Sequence, residues 1–211
     1  MYPIENYLSR YKTHYDLYIK THKFLPSLKE KKIFVKINEH ISQISVSRDL
    51  EKEDTWYIEF NEDPPEPSTL IQAFIYIETG DKGLAEDLTH ILLYAIAKDL
   101  PSFNLIDLLN INLETINTVL YRCCKIKSFE DYLTLKGKVH RSICYLDHDT
   151  MTIKLKENTP IDEIARILLK EINESIAFWY NPSRNECISI ECLIFEELAS
   201  ILSKHNTSNK Q

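Results

Sequence analysis

The stretch FIYIETGDKGLAEDL, residues 74–88, decides how the first half of the chain is read. An apolar alternating run that begins at Leu70 stops at Gly80-Asp81-Lys82-Gly83, and a three- and four-residue apolar spacing follows. The run LIQAFIYIE (70–78) is rich in β-branched and aromatic residues and predicts a strand. Strand, glycine loop and helix is also the order in which phosphate-binding loops are built. A Walker-type loop needs GxxxxGK[ST] and a dinucleotide loop needs GxGxxG, and neither spacing occurs. A GxxG loop of the KH type clamps a nucleic-acid backbone between two helices. Here Asp81 puts a negative charge where a phosphate would sit, and Glu86 and Asp87 follow. The reading is therefore a turn, in which glycine allows the reversal and Asp81 caps the next helix.

Glycine scarcity supports that reading. The 211-residue chain holds three glycines, Gly80, Gly83 and Gly137, so it has little capacity for loops that bring backbone against a ligand. No GxSxG elbow is available for a serine nucleophile. The length suffices for a core that needs no disulfide or metal staple. The five cysteines include the adjacent pair Cys123 and Cys124, and Cys187 and Cys192 lack the CxxC spacing of a zinc clamp. They are expected to be structural thiols, with no cofactor and no metal. No apolar run is long enough to span a membrane, and the N-terminal residues show no apolar secretory core, so a cytoplasmic location is expected.

Working outward from the turn, residues 4–25 read as one amphipathic helix bearing Ile4, Tyr7, Leu8, Tyr11, Tyr15, Tyr18, Ile19 and His22, ended by Pro26. KKIFVKI (31–37), HISQISVS (40–47), TWYIEF (55–60) and LIQAFIYIE then predict an antiparallel meander of about four strands. Helices are expected from Leu84 to Leu100, over FNLIDLLN (103–110), and over NLETINTVLYRCCK (112–125) with Asn112 or an adjacent residue as N-cap. SFEDYLTLK (128–136) reads as a short helix or loop. RSICYL and MTIKLK flank Asp147-His148-Asp149-Thr150 and predict a hairpin. A helix opens at Thr159-Pro160, with Thr159 expected as N-cap and Pro160 at its first position, and a last one runs over 188–204. The expected fold is α+β: an N-terminal helix, a small antiparallel sheet packed by helices, then a β-hairpin and C-terminal helices. A boundary is expected near 127/128, giving units 1–127 and 128–211 or one continuous domain.

Charge is segregated along the chain. Residues 10–48 hold nine Lys or Arg against three acids, a net of +6, and residues 51–114 hold three Lys against fourteen acids, a net of −11. Residues 122–141 return to +4, six basic residues against two acids. Opposed potentials of this kind favour docking to a charged protein partner or head-to-tail self-association. The overall charge of −7 argues against non-specific nucleic-acid binding, which depends on many phosphate contacts.

The strongest candidate contact surface is the proline- and acid-rich loop after TWYIEF, with Glu59, Glu62, Asp63 and Glu66 as docking charges and Trp56 and Tyr57 as anchors. Arg141, His148 and Asp149 raise a second chemistry, an RNase motif of the HEPN kind or a metal-dependent nuclease, but the residues between Arg141 and His148 read as strand where that motif needs a helix. Cys123 lies between Arg122 and Cys124-Lys125, a setting that lowers a thiol pKa if the cations reach it; a buried, unreactive thiol is the expectation.

The segments FIYIETGDKGLAEDLTHILLYAIAKDLPSFNLIDLLNINLETINTVL and VHRSICYLDHDTMTIKLKENTPIDEIARILLKEI carry a resemblance to the tail region of large bacterial sacsin-like (GHKL-type) ATP-binding proteins over about residues 74–172. It is a pattern of apolar positions, and the ATP-binding motifs of that family are absent. The resemblance implies an accessory, partner-binding module in a bacterial defence or stress system. From the residues themselves, the expected function is a non-catalytic interaction protein that docks by charge complementarity; an immunity protein that neutralises a toxin is the alternative of the same size and acidity.

Overall fold

The computed structural model describes residues 1–61, 63–134, 155–179 and 189–208. The predicted hairpin, with Arg141 and Asp147 to Thr150, lies outside the described residues. The protein is α+β, a small four-stranded sheet packed by helices with further helices at its C-terminal end.

The N-terminal amphipathic pattern forms two helices, α1 (Ile4–Leu8) and α2 (Lys12–Thr21). Tyr11 takes an extended backbone between them, and its N–H closes a tight turn onto Leu8 O at 2.8 Å. The break turns Tyr7 and Leu8 into the core while Tyr18 is buried from the second helix. Tyr2–Pro3 precede them as a strand, β1.

The sheet is mixed rather than a meander. Strands β2 (Lys32–Ile37), β3 (Ser45–Arg48) and β4 (Thr55–Phe60) follow in sequence, but the spatial order is β1-β2-β4-β3. β3 and β4 form the expected antiparallel hairpin, whereas β2 and β4 run parallel, with Ile33 opposite Trp56 and Val35 opposite Ile58. β4, more apolar than β3, thus takes the interior place beside β2. Trp56, Ile58 and Phe60 turn inward, and the polar β3 is left at the edge. The loop over 38–44 is long enough for β4 to insert between its two predecessors in the chain.

The decisive segment is not a strand. Pro67–Thr79 is a helix, α3, with Pro67 in its first turn and Gly80 at its end in the left-handed conformation, φ +69°. Gly80 N–H returns to Tyr76 O at 2.7 Å, the αL closure that favours glycine. Leu70, Ile71, Ala73, Phe74, Ile75 and Ile77 are all buried, because the next helix, α2 and the 3-10 turn Pro26–Glu30 pack on α3 while Tyr76 meets Trp56 of the sheet. Burial on several sides erases the one-sided stripe by which a surface helix is recognised. It also overrides the modest cost of β-branched residues in a helix.

The turn itself is as expected. Asp81 caps α4 (Lys82–Ala97), and its carboxylate accepts the Leu84 N–H at 3.0 Å. A 3-10 turn spans Leu105–Asn110 and α5 spans Leu113–Cys124, with Asn112 accepting the Thr115 N–H at 2.8 Å. Residues 129–134 are helical. The first backbone bond of α6 (Ile161–Trp179) closes onto Pro160 O. The Thr159 hydroxyl donates to Lys156 O instead of capping that helix. The last helix is α7 (Ile190–Ser208).

The layers stack in order. α3 packs on α4, α4 on α6, and α7 on α5 and α6. One hydrophobic cluster runs from Ile4 to Leu202. The α4–α6 seam has a polar pin. The buried Asn173 accepts the His90 and Ile91 N–H groups at 2.7 and 3.2 Å and donates to Glu86 O at 3.2 Å.

Candidate functional site

A groove of about 720 Å³ opens beside the sheet edge. One wall is the chain leading into and through β3, Ile41 to Ile44 and Val46. The second is the end of β4 and the proline loop, Phe60, Asn61, Asp63, Pro64, Pro65 and Glu66. The floor and far wall come from one face of α3, where Thr69, Gln72, Ala73 and Tyr76 recur at three- and four-residue spacing, and from Lys82, Ala85 and Glu86 at the start of α4.

The lining divides by position. Val46, Phe60, Ala73 and Ala85 are the apolar contribution, with Ile41 and Ile44 on the entering segment. Asp63, Glu66 and Glu86 are exposed and form no ion pair with a described cation. Against these three carboxylates stands one ammonium, Lys82, for a net of −2. The proline loop is held in place by α2, where a His14 ring nitrogen lies 3.0 Å from Pro65 O. At the other side, Arg166 of α6 meets Asp81 at 2.7 Å. The Leu84 N–H, and after it the Arg166 charge, hold the Asp81 carboxyl below the usual range.

The residues singled out in the sequence are separated by the fold. Asp63 and Glu66 lie on the groove; Glu62 lies outside the described residues. Tyr57 and Glu59 sit on the opposite face of the sheet, away from the helices. There the Tyr57 hydroxyl donates to Asp49 at 2.8 Å, the Lys36 ammonium stands 4.1 Å from the Tyr57 ring centroid, and Glu59 accepts from Asn38 at 2.6 Å. Trp56 is 7% exposed and belongs to the core, against Tyr76 at 6.0 Å, so it offers no ring to a partner's surface. The groove residues that sequence reading missed are Gln72, Tyr76, Lys82 and Glu86. For Gln72 and Tyr76 the signal was the helical spacing of Thr69, Gln72, Ala73 and Tyr76, which the strand assignment concealed; Lys82 and Glu86 carried none.

Of the other candidate chemistries, the nuclease residues Arg141, His148 and Asp149 lie outside the described residues. Among the described residues, no group of three or more His, Cys, Asp or Glu side chains is placed to hold a metal ion. Burial is the main cause that pushes the Cys123 thiol up, and it carries Cys124 to about 11. Glu197 outweighs Arg122 at Cys123, the reverse of the cationic setting that lowers a thiol pKa. No described helix is long and apolar enough to cross a membrane. Comparison with protein-family models, with curated proteins and with solved structures returned no match.

Proposed function

We propose that this chain is a non-catalytic, cytoplasmic protein-binding module whose groove receives a basic segment of a partner protein. The observation that carries the reading is the groove itself, in which three exposed carboxylates stand beside a lining of mixed apolar and polar side chains. Apolar contact supplies affinity, and the carboxylates select Lys- or Arg-bearing partners and speed their approach. An accessory subunit of a bacterial defence or stress system, and a protein that neutralises a basic toxin, would both work through such a surface.

The test is charge reversal at the groove, Asp63→Lys with Glu66→Lys and Glu86→Lys, in a tagged chain used to capture partners from its host. A stoichiometric partner should be lost from the triple variant. Its affinity for the unaltered chain should fall by about tenfold or more when salt is raised well above physiological strength, because exposed charges are screened. A partner retained by the triple variant with the same affinity and salt dependence refutes the groove reading.

A further inference from the structure

Beside the groove runs a strand edge that pairs with nothing among the described residues. β3 is the last strand in the order β1-β2-β4-β3. Its register on β4 places Ser45 opposite Glu59, Val46 opposite Ile58, Ser47 opposite Tyr57 and Arg48 opposite Trp56. The same ladder reaches Asp49, whose N–H donates to Thr55 O at 2.9 Å. In an antiparallel pair, backbone groups point toward the partner strand at every second residue. Ser45 and Ser47 share the parity of Asp49, so their N–H and C=O groups face β4. Val46 and Arg48 have the opposite parity, and their N–H and C=O groups face out from the sheet.

The Val46 side chain points to the inner face, where it lines the groove. The groove therefore lies under the position that a fifth strand would occupy. Strand direction also sets a charge gradient along this edge. Ser45 lies beside the end of β4, from which the chain runs on to Asp63 and Glu66. At the far end is Arg48, with its guanidinium over the Trp56 ring.

We infer that the partner's segment binds as an added β-strand on the free edge of β3, joined through the N–H and C=O groups of Val46 and Arg48. Its alternate side chains enter the groove, and its basic residues lie at the Asp63–Glu66 end. This inference rests on the groove reading above and states how the segment is held. Strand addition suits the site because main-chain bonds give sequence-independent affinity while the groove and its charges choose the side chains. β3 is short and polar, with Ser45 and Ser47 exposed, as expected of an edge that must not pair with its own kind.

Amide hydrogen exchange read by NMR tests the inference at single residues. In the free chain, Ser47 and Asp49 amides should exchange slowly, and Val46 and Arg48 amides at least about tenfold faster. Slow exchange at Val46 and Arg48 in the free chain would mean the edge is already covered, and would overturn the inference. The probe is an acetylated, amidated heptapeptide of alternating Lys and Val, with a twin N-methylated at alternate residues. The plain peptide should bind, slow the Val46 and Arg48 amides by about tenfold at saturation, and lose binding when methylated. Val46→Pro removes the outward N–H while keeping an apolar side chain of similar size in the groove, a substitution edge strands accept, and should weaken binding without unfolding the chain. If the plain peptide binds and is lost on Asp63→Lys with Glu66→Lys, yet the methylated twin binds equally, the strand inference fails and the groove reading stands. No binding by either peptide refutes both.

Discussion

Asn173 offers the most direct check on how the helices are held together. Its side-chain amide reaches from α6 into α4, where it accepts the His90 and Ile91 N–H groups and donates to Glu86 O. In an unbroken helix the His90 N–H would bond the Glu86 carbonyl, so Asn173 bonds both members of a ladder pair. Asn173→Ala removes three hydrogen bonds at a buried residue. If α4 re-closes His90 onto Glu86, one donor and one acceptor recover, and the Ile91 N–H and a small void remain. If the core prevents re-closure, all three groups stay unpaired, at about 1–3 kcal/mol each. The expected loss lies between these limits, about 3 kcal/mol. For a chain of this size that lowers Tm by roughly 6–12 °C. Urea and thermal unfolding followed by circular dichroism measure it. Asn173→Leu separates the causes, since it restores side-chain volume but no hydrogen bond and should remain destabilised to a similar degree. A loss under about 1 kcal/mol for the alanine variant, or rescue by leucine, would refute the claim that polar pairing holds this seam.

Two further expectations concern the turn and acid stability. Gly80 sits at φ +69° with nothing within 4 Å of an added Cβ, so the cost of Gly80→Ala is conformational, about 1 kcal/mol, and Gly80→Asn should cost less in the same denaturation assay; equal losses would point to a steric cause. His22 and His90 have pKa values lowered mainly by burial. The unfolded chain therefore takes up protons near the ordinary histidine value while the folded chain resists. Stability should be unaffected by these groups at neutral pH and should fall as pH drops below about 6.5. His90→Gln should flatten that fall by up to about 1.4 kcal/mol per pH unit, and an unchanged slope in urea melts from pH 7 to pH 5 would show that His90 contributes nothing to it.

Much of the local structure is legible in the residues alone. Asp81 and Asn112 announce two helix starts because a short side chain can accept the free amides of a first turn wherever the chain lies. TWYIEF announces its strand, and Gly80 announces a reversal, since only the backbone at that point is involved. The split of charge between residues 10–48 and 51–114 is likewise a property of the sequence, and it pointed to docking before any surface was known.

What the sequence did not decide depends on neighbours distant in the chain. LIQAFIYIE is a helix because α4, α2 and the turn at 26–30 bury several of its faces, so its buried apolar residues do not form the one-sided stripe of a surface helix. β4 runs parallel to β2 because, of β3 and β4, the more apolar strand gains more from an interior place, and local alternation cannot report which of the two will take it. Trp56 and Tyr57 are adjacent in sequence yet lie on opposite faces of the sheet, one in the core and one outside. The groove joins Val46, Asp63, Tyr76 and Glu86 from four segments whose meeting is set only by packing, so the Asp63 and Glu66 part of its acidic lip could be read from the sequence while Glu86 and the groove's shape could not.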